Sequence, residues 1–115
     1  MASTFTIASG ASLSDAVDIG NTNSLSAIVA IIMPSAWTAA DLTFQASATV
    51  DGTYNDVYDD DDNEVTVQAG ASRHIVLDDE MRSHLAGLRF IKIRSGTSGT
   101  PVNQGAERSI TVVVK

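Results

Sequence analysis

The stretch Leu42-Thr-Phe-Gln-Ala-Ser-Ala-Thr-Val50 decides the fold class. Apolar and polar residues alternate along it without a fault, the period of a strand with one face on a core. The reading turns Leu42, Phe44, Ala46, Ala48 and Val50 inward and Thr43, Gln45, Ser47 and Thr49 outward. The same period recurs over Glu64–Gln68. Leu25–Met33 is apolar on both faces, as befits a central strand or one at a subunit interface. Arg89–Arg94 and Ser109–Lys115 are β-branched runs with charged ends. Phe5–Ile7, Ala16–Ile19 and His74–Leu77 bring the number to about eight strands.

Turn signals separate these runs at Ser9-Gly10, Gly20-Asn21, Met33-Pro34, Asp51-Gly52, Ala69-Gly70 and Gly96–Pro101. Two short stretches have helical character. Ser35–Asp41 follows a proline, and Asp78–Gly87 opens on acids and closes on a glycine suited to the C′ position. Neither is long enough to form a layer. Short strands divided by turns predict an all-β chain, an antiparallel, jelly-roll-like β-sandwich with one or two helical turns. At 115 residues it makes one domain over residues 1–115.

Composition narrows the chemistry. Hydrophobic residues make up 43% of the chain but aromatics only 5%, so the core is built from Val, Ile, Leu and Ala. With no Cys there is no disulfide, thiolate or Cys-ligated zinc, and two histidines, His74 and His84, are too few for a His-rich centre. Neither lies in a recognisable Ser-His-Asp context, and the glycines show no nucleotide-binding pattern. The chain reads as a non-enzyme. A net charge of −7 argues against nucleic acid and anionic membranes as partners. The opening MASTFTIAS has no cationic start or long apolar run, so no secretory signal is expected, and Ala27–Met33 is too short to span a bilayer.

The charges are unevenly placed. Ten acids and no Lys or Arg precede Arg73, whereas seven basic residues and four acids follow from there. That pattern predicts pairing between the two halves, within one subunit or head-to-tail between copies.

Two groups of residues are candidate sites. Asp59, Asp61 and Asn63 have the D-x-D-x-N spacing that begins a calcium loop, and oxygen ligands suit Ca²⁺. The sixth position, however, holds Glu64 rather than Gly, and the twelfth lacks the bidentate Glu. The alternative is a solvated hairpin tip that keeps a strand edge unpaired. Trp37, Tyr54 and Tyr58 are candidates for a sugar-stacking platform or an interface, against the plainer role of plugging the end and rim of the sandwich.

Ile28–Ser47, Asp51–Tyr58 and Leu88–Thr97 with Pro101–Gln104 together resemble small proteins encoded among the head and tail structural genes of tailed bacteriophages and prophages. The resemblance runs from Ser24 to Lys115 and lies in overall pattern. It implies a non-enzymatic virion protein assembled in the bacterial host cytoplasm, a capsid decoration or cement protein or else a tail or connector component. It also implies a homo-oligomer, such as a trimer, bound to the major capsid or another virion protein, with no cofactor beyond the calcium considered above. No functional residue carries over from it. The ending built on Arg89-Phe-Ile-Lys-Ile-Arg94 also looks like discoidin or galactose-binding-like jelly rolls. That second likeness implies a carbohydrate-binding module for cell-surface attachment.

Overall fold

The computed structural model describes residues 2–20 and 27–115. Its elements are β1 (Ala2–Ile7), β2 (Val17–Asp18), β3 (Ile28–Ile32), β4 (Leu42–Ser47), β5 (Asn55–Asp56), β6 (His74–Val76), α1 (Asp79–Leu85), β7 (Phe90–Ser95) and β8 (Arg108–Val114). They form two four-stranded sheets, ordered β1-β8-β3-β6 and β2-β7-β4-β5. All pairings are antiparallel, and four of them nest: β1 with β8, β2 with β7, β3 with β6, β4 with β5. The chain is therefore one long hairpin whose innermost turn joins β4 to β5. Rolled up, it is closed by β3 on β8 and β4 on β7. This is the jelly-roll arrangement of a β-sandwich.

The core lies between the sheets. Phe5, Ile7, Ile28, Ile31, Leu42, Phe44, Ile91, Ile93 and Ile110 are fully buried there. Only two of these are aromatic, as the composition requires. The strand β3 is interior, between β8 and β6, which explains its apolar character on both faces. Leu25 and Ser26 of the apolar stretch, and Asn21 of the expected turn, lie outside the described residues.

Four expectations need correction. The alternation of Leu42–Val50 extends beyond the strand: β4 stops at Ser47, and Ala48 and Val50 are exposed. The Ser47 hydroxyl donates to the Thr49 carbonyl and accepts the Thr49 N–H, bending the chain out of the sheet. Thr43, expected outward and wet, is fully buried because another segment covers it. Glu64–Gln68 is extended but forms only isolated bridges, Glu64 with Tyr58 and Val67 with Leu42, so its alternation reflects Val65 and Val67 plugging the core. Ser35–Asp41 makes bends instead of a helix. The second helical signal is realised as α1: the Asp78 carboxylate accepts the Met81 N–H, and Gly87 follows the C-cap at φ +78°.

Candidate functional site

The outer face of the β2-β7-β4-β5 sheet carries the polar machinery. Cross-strand register places Thr43 beside Arg94, and Gln45 beside Lys92 and Asp56. Arg94 points away from the core yet is only 7% exposed, because the chain after β5 and the turn after β7 fold over it. Its guanidinium donates to the Asp56 carboxylate, to Glu64 Oε2 at 3.2 Å and to Thr43 Oγ1 at 3.3 Å. Thr43 in turn donates to the Gly96 carbonyl at 2.7 Å, and Glu64 accepts the Ser98 N–H. Gly96 sits at φ +90°, and a β-carbon there would approach the Thr100 carbonyl oxygen to 2.5 Å, so the turn needs glycine. The Arg94 hydrogen bond holds the Asp56 carboxyl below the usual carboxylate range, and Gln45 lowers it further.

At the end of the same face, Arg89 bridges both oxygens of Asp18 at 3.1 Å and lies over the Phe90 ring. The guanidinium lowers the Asp18 pKa, and the carboxylate raises that of Arg89. Lys92 sits over the Tyr54 ring. These contacts tie Asp18, Asp56 and Glu64 of the acidic first part of the chain to Arg89 and Arg94 of the basic last part, so three of the ten acids that precede Arg73 are paired inside one subunit.

A second buried polar centre closes the end of the sandwich. Gln104 is fully buried, and its side chain is saturated. Oε1 accepts the Thr38 N–H and Arg108 Nε; Nε2 donates to the Thr38 carbonyl and Ser95 Oγ. Backbone bonds of Gln104 hold Gly10 and Ala11 as well. This amide stands in for a backbone strand and keeps residues 35–41 in bends, while Trp37 donates its Nε1–H to Ala40. The sequence reading missed both centres. The available signal was an Arg at an outward position of a β-branched strand, but its carboxylate partners lie 30 and 38 positions away.

The named candidates fall as follows. Asp59 Oδ1 accepts the N–H groups of Asp61 and Asn63, the Asp59 N–H donates to the Asn63 carbonyl, and Asp62 takes φ +68°. The acidic run is a tight turn organised around Asp59. Among the described residues no three His, Asp or Glu side chains converge as ligands for an ion. Trp37 sits on the connection entering β4 and Tyr54 on the turn leaving it, so the length of a strand separates them. Tyr58 is half exposed, at the bridge to Glu64. The structure does not gather these three rings into one surface. His74 is exposed on β6, and His84 lies 3.7 Å from Glu80 on α1.

The outer face of the other sheet is different in kind. Its outward positions are Ala2, Thr4 and Thr6 on β1, Ser109, Thr111 and Val113 on β8, Ala30 and Ile32 on β3, and His74 and Val76 on β6. Among these described residues there is no Asp, Glu, Lys or Arg. Val76 is 74% exposed. Beside β6 runs a groove of about 330 Å³ lined by Val67, Ile75, Leu77 and Met81 among others. A larger open groove of about 750 Å³, at the turn between β4 and β5, is lined by Ser47, Thr49, Thr53, Asn55 and Arg89 among others.

Comparison of the chain with protein-family models, with curated proteins and with solved structures finds no match.

Proposed function

We propose that this chain is a non-enzymatic structural subunit of a tailed-phage virion, a decoration or cement protein of the head, which docks through the outer face of the β1-β8-β3-β6 sheet. The observation that carries the reading is that, in a chain of net charge −7, the outward positions of these four strands hold no Asp, Glu, Lys or Arg, Lys115 following only past the end of β8. Burying Thr, Ala, Val and Ile against a partner avoids the desolvation cost that charged side chains impose. A water-facing sheet ordinarily intersperses charges, as the opposite sheet of this molecule does. The buried polar groups support the same role: Arg94, Asp56, Glu64 and Gln104 are all engaged in holding loops. Jelly rolls serve in viral shells and in lectins, so the architecture accommodates this function as well as its rival.

The test is co-sedimentation of the full chain with undecorated heads of the phage that encodes it. Saturable binding that persists at high salt is expected, since the outward strand positions of the docking face hold no charged side chain to screen. A protein that ignores heads but gives a glycan-array signal, lost on substitution of Asn55 or Tyr54, would overturn the reading. It would assign the groove beside β5 to sugar instead.

A further inference from the structure

We infer that the free edge of β6 pairs with the same edge of a second copy, joining two sandwiches through one continuous eight-stranded sheet. The inference rests on the assembly role proposed above and names the partner and the contact.

Three features converge on this edge. The pairing of β6 with β3 runs through Ile31 and Ile75, flanked by Leu77 N–H to the Val29 carbonyl and Met33 N–H to the Arg73 carbonyl. His74 and Val76 therefore turn their backbone N–H and C=O groups away from β3, toward the open side. An exposed Val76 and an exposed His74 flank that edge, with no proline, lysine or bulge in β6 to block pairing. The edge is also self-complementary. An antiparallel second copy centred on Ile75 sets His74 opposite Val76 of the other chain, and the two-fold axis repeats the pair. Four backbone hydrogen bonds result, two from each pair. The same register brings Arg73 opposite Leu77 of the second copy, next to its Asp78. Arg73 is exposed and engaged in no ion pair among the described residues, and Asp78 is exposed, so opposite charges meet at both ends of the contact. Ile75 meets its own counterpart across the axis, at the mouth of the groove lined by Val67 and Met81. The charge-free outer faces then run on from one copy to the next, doubling the area offered to a shell.

Because the chain has no cysteine, an introduced thiol reports the register directly. At a non-hydrogen-bonded pair the Cα atoms stand about 4.5 Å apart, within reach of a disulfide. Mild oxidation of the full-length Ile75→Cys variant should give a cross-linked dimer. In the Val76→Cys variant the two thiols belong to residues about 8–9 Å apart, too far to bridge, and the chain should stay uncross-linked. Sedimentation of the unmodified protein from micromolar to millimolar concentration should show a monomer–dimer equilibrium. Val76→Lys should weaken it at least tenfold with the circular dichroism spectrum unchanged. Asp78→Asn, which keeps the helix cap, should weaken it several-fold at low salt and not at high salt. A monomer throughout, a trimer, or cross-linking of Val76→Cys in preference to Ile75→Cys would each overturn the pairing. Head binding by a strict monomer would overturn the pairing alone. A dimer that ignores heads would instead remove the virion reading and leave the pairing standing.

Discussion

On the β2-β7-β4-β5 sheet the outward positions hold Thr43, Gln45, Asp56, Lys92 and Arg94; on the β1-β8-β3-β6 sheet they hold Thr4, Thr6, Ala30, Ile32, Thr111 and Val113. Thr43 and Arg94 of the first set are covered by the molecule's own chain, while Gln45, Asp56 and Lys92 stay half-buried around them. Arg94 draws the segment carrying Glu64 and the turn carrying Ser98 across the sheet, and each of its partners is satisfied within the subunit. Among the described residues the second set makes no side-chain hydrogen bond or ion pair, and apart from Ala30, which is buried, it is partly or fully open to solvent. A polar network of this kind fixes loops and leaves nothing for a partner to satisfy. A face without charge is one that a partner can dehydrate at low cost. The difference between the sheets is thus a division between holding the fold and offering a surface.

The sharpest way to break this comparison is to remove Arg94. Arg94→Ala leaves Asp56 and Glu64 without their cation beneath the covering loops, and breaking a buried ionic group of this kind costs about 3–5 kcal/mol. Urea unfolding measures it. The added substitutions Asp56→Asn and Glu64→Gln should return a substantial part of the loss, because the penalty is the uncompensated charge. A loss below about 1 kcal/mol, the range of an exposed ion pair, would mean that the network is a surface feature and that the two faces are alike.

Acid should act on one face and spare the other. Asp56 and Asp18 are held below the ordinary carboxylate value of 3.8 by Arg94 and Arg89. In the unfolded chain these carboxyls take up a proton first, so the stabilisation they provide is complete above that value. It is lost as pH falls through their lower folded values. Thermal unfolding followed from pH 6 to pH 2.5, approximate limits chosen to bracket the carboxylate range, should show stability declining below about pH 4. Asp56→Asn should flatten the decline. An unchanged slope in that variant would detach Asp56 from the network.

The parts legible in the sequence were those governed by local periodicity. β4 shows its inward residues Leu42 and Phe44, and α1 shows its acidic start and glycine stop, because neighbours in sequence set both. β5 was not legible. Asn55 and Asp56 are poor strand formers, and they pair with β4 because Arg94 and Gln45 hold the Asp56 side chain in register. Residues 35–41 look helical in isolation but are set by Gln104, 66 positions beyond Thr38. The uneven charge was visible, and its internal use at Arg89 and Arg94 became visible only when the nested hairpin brought the halves together. The acidic run was visible too, but what Asp59 does with its carboxylate depends on the backbone of Asp61 and Asn63.

The smallest expected effect on stability tests the other half of the comparison. Thr111 lies in the middle of the uncharged face, opposite Thr4 on one side and Ile32 on the other. A lysine there can extend its ammonium group to water, so Thr111→Lys should change the unfolding free energy by no more than about 0.5 kcal/mol. Docking is another matter. Pressed against a shell, the ammonium group would have to give up its water or hold the surfaces apart, and head binding should fall by at least tenfold. Self-association through β6 should persist in this variant, because Thr111 is two strands from that edge. Equal loss of both would place the docking surface at the edge alone, whereas full head binding by Thr111→Lys would show that the absence of charge on this sheet has no part in assembly.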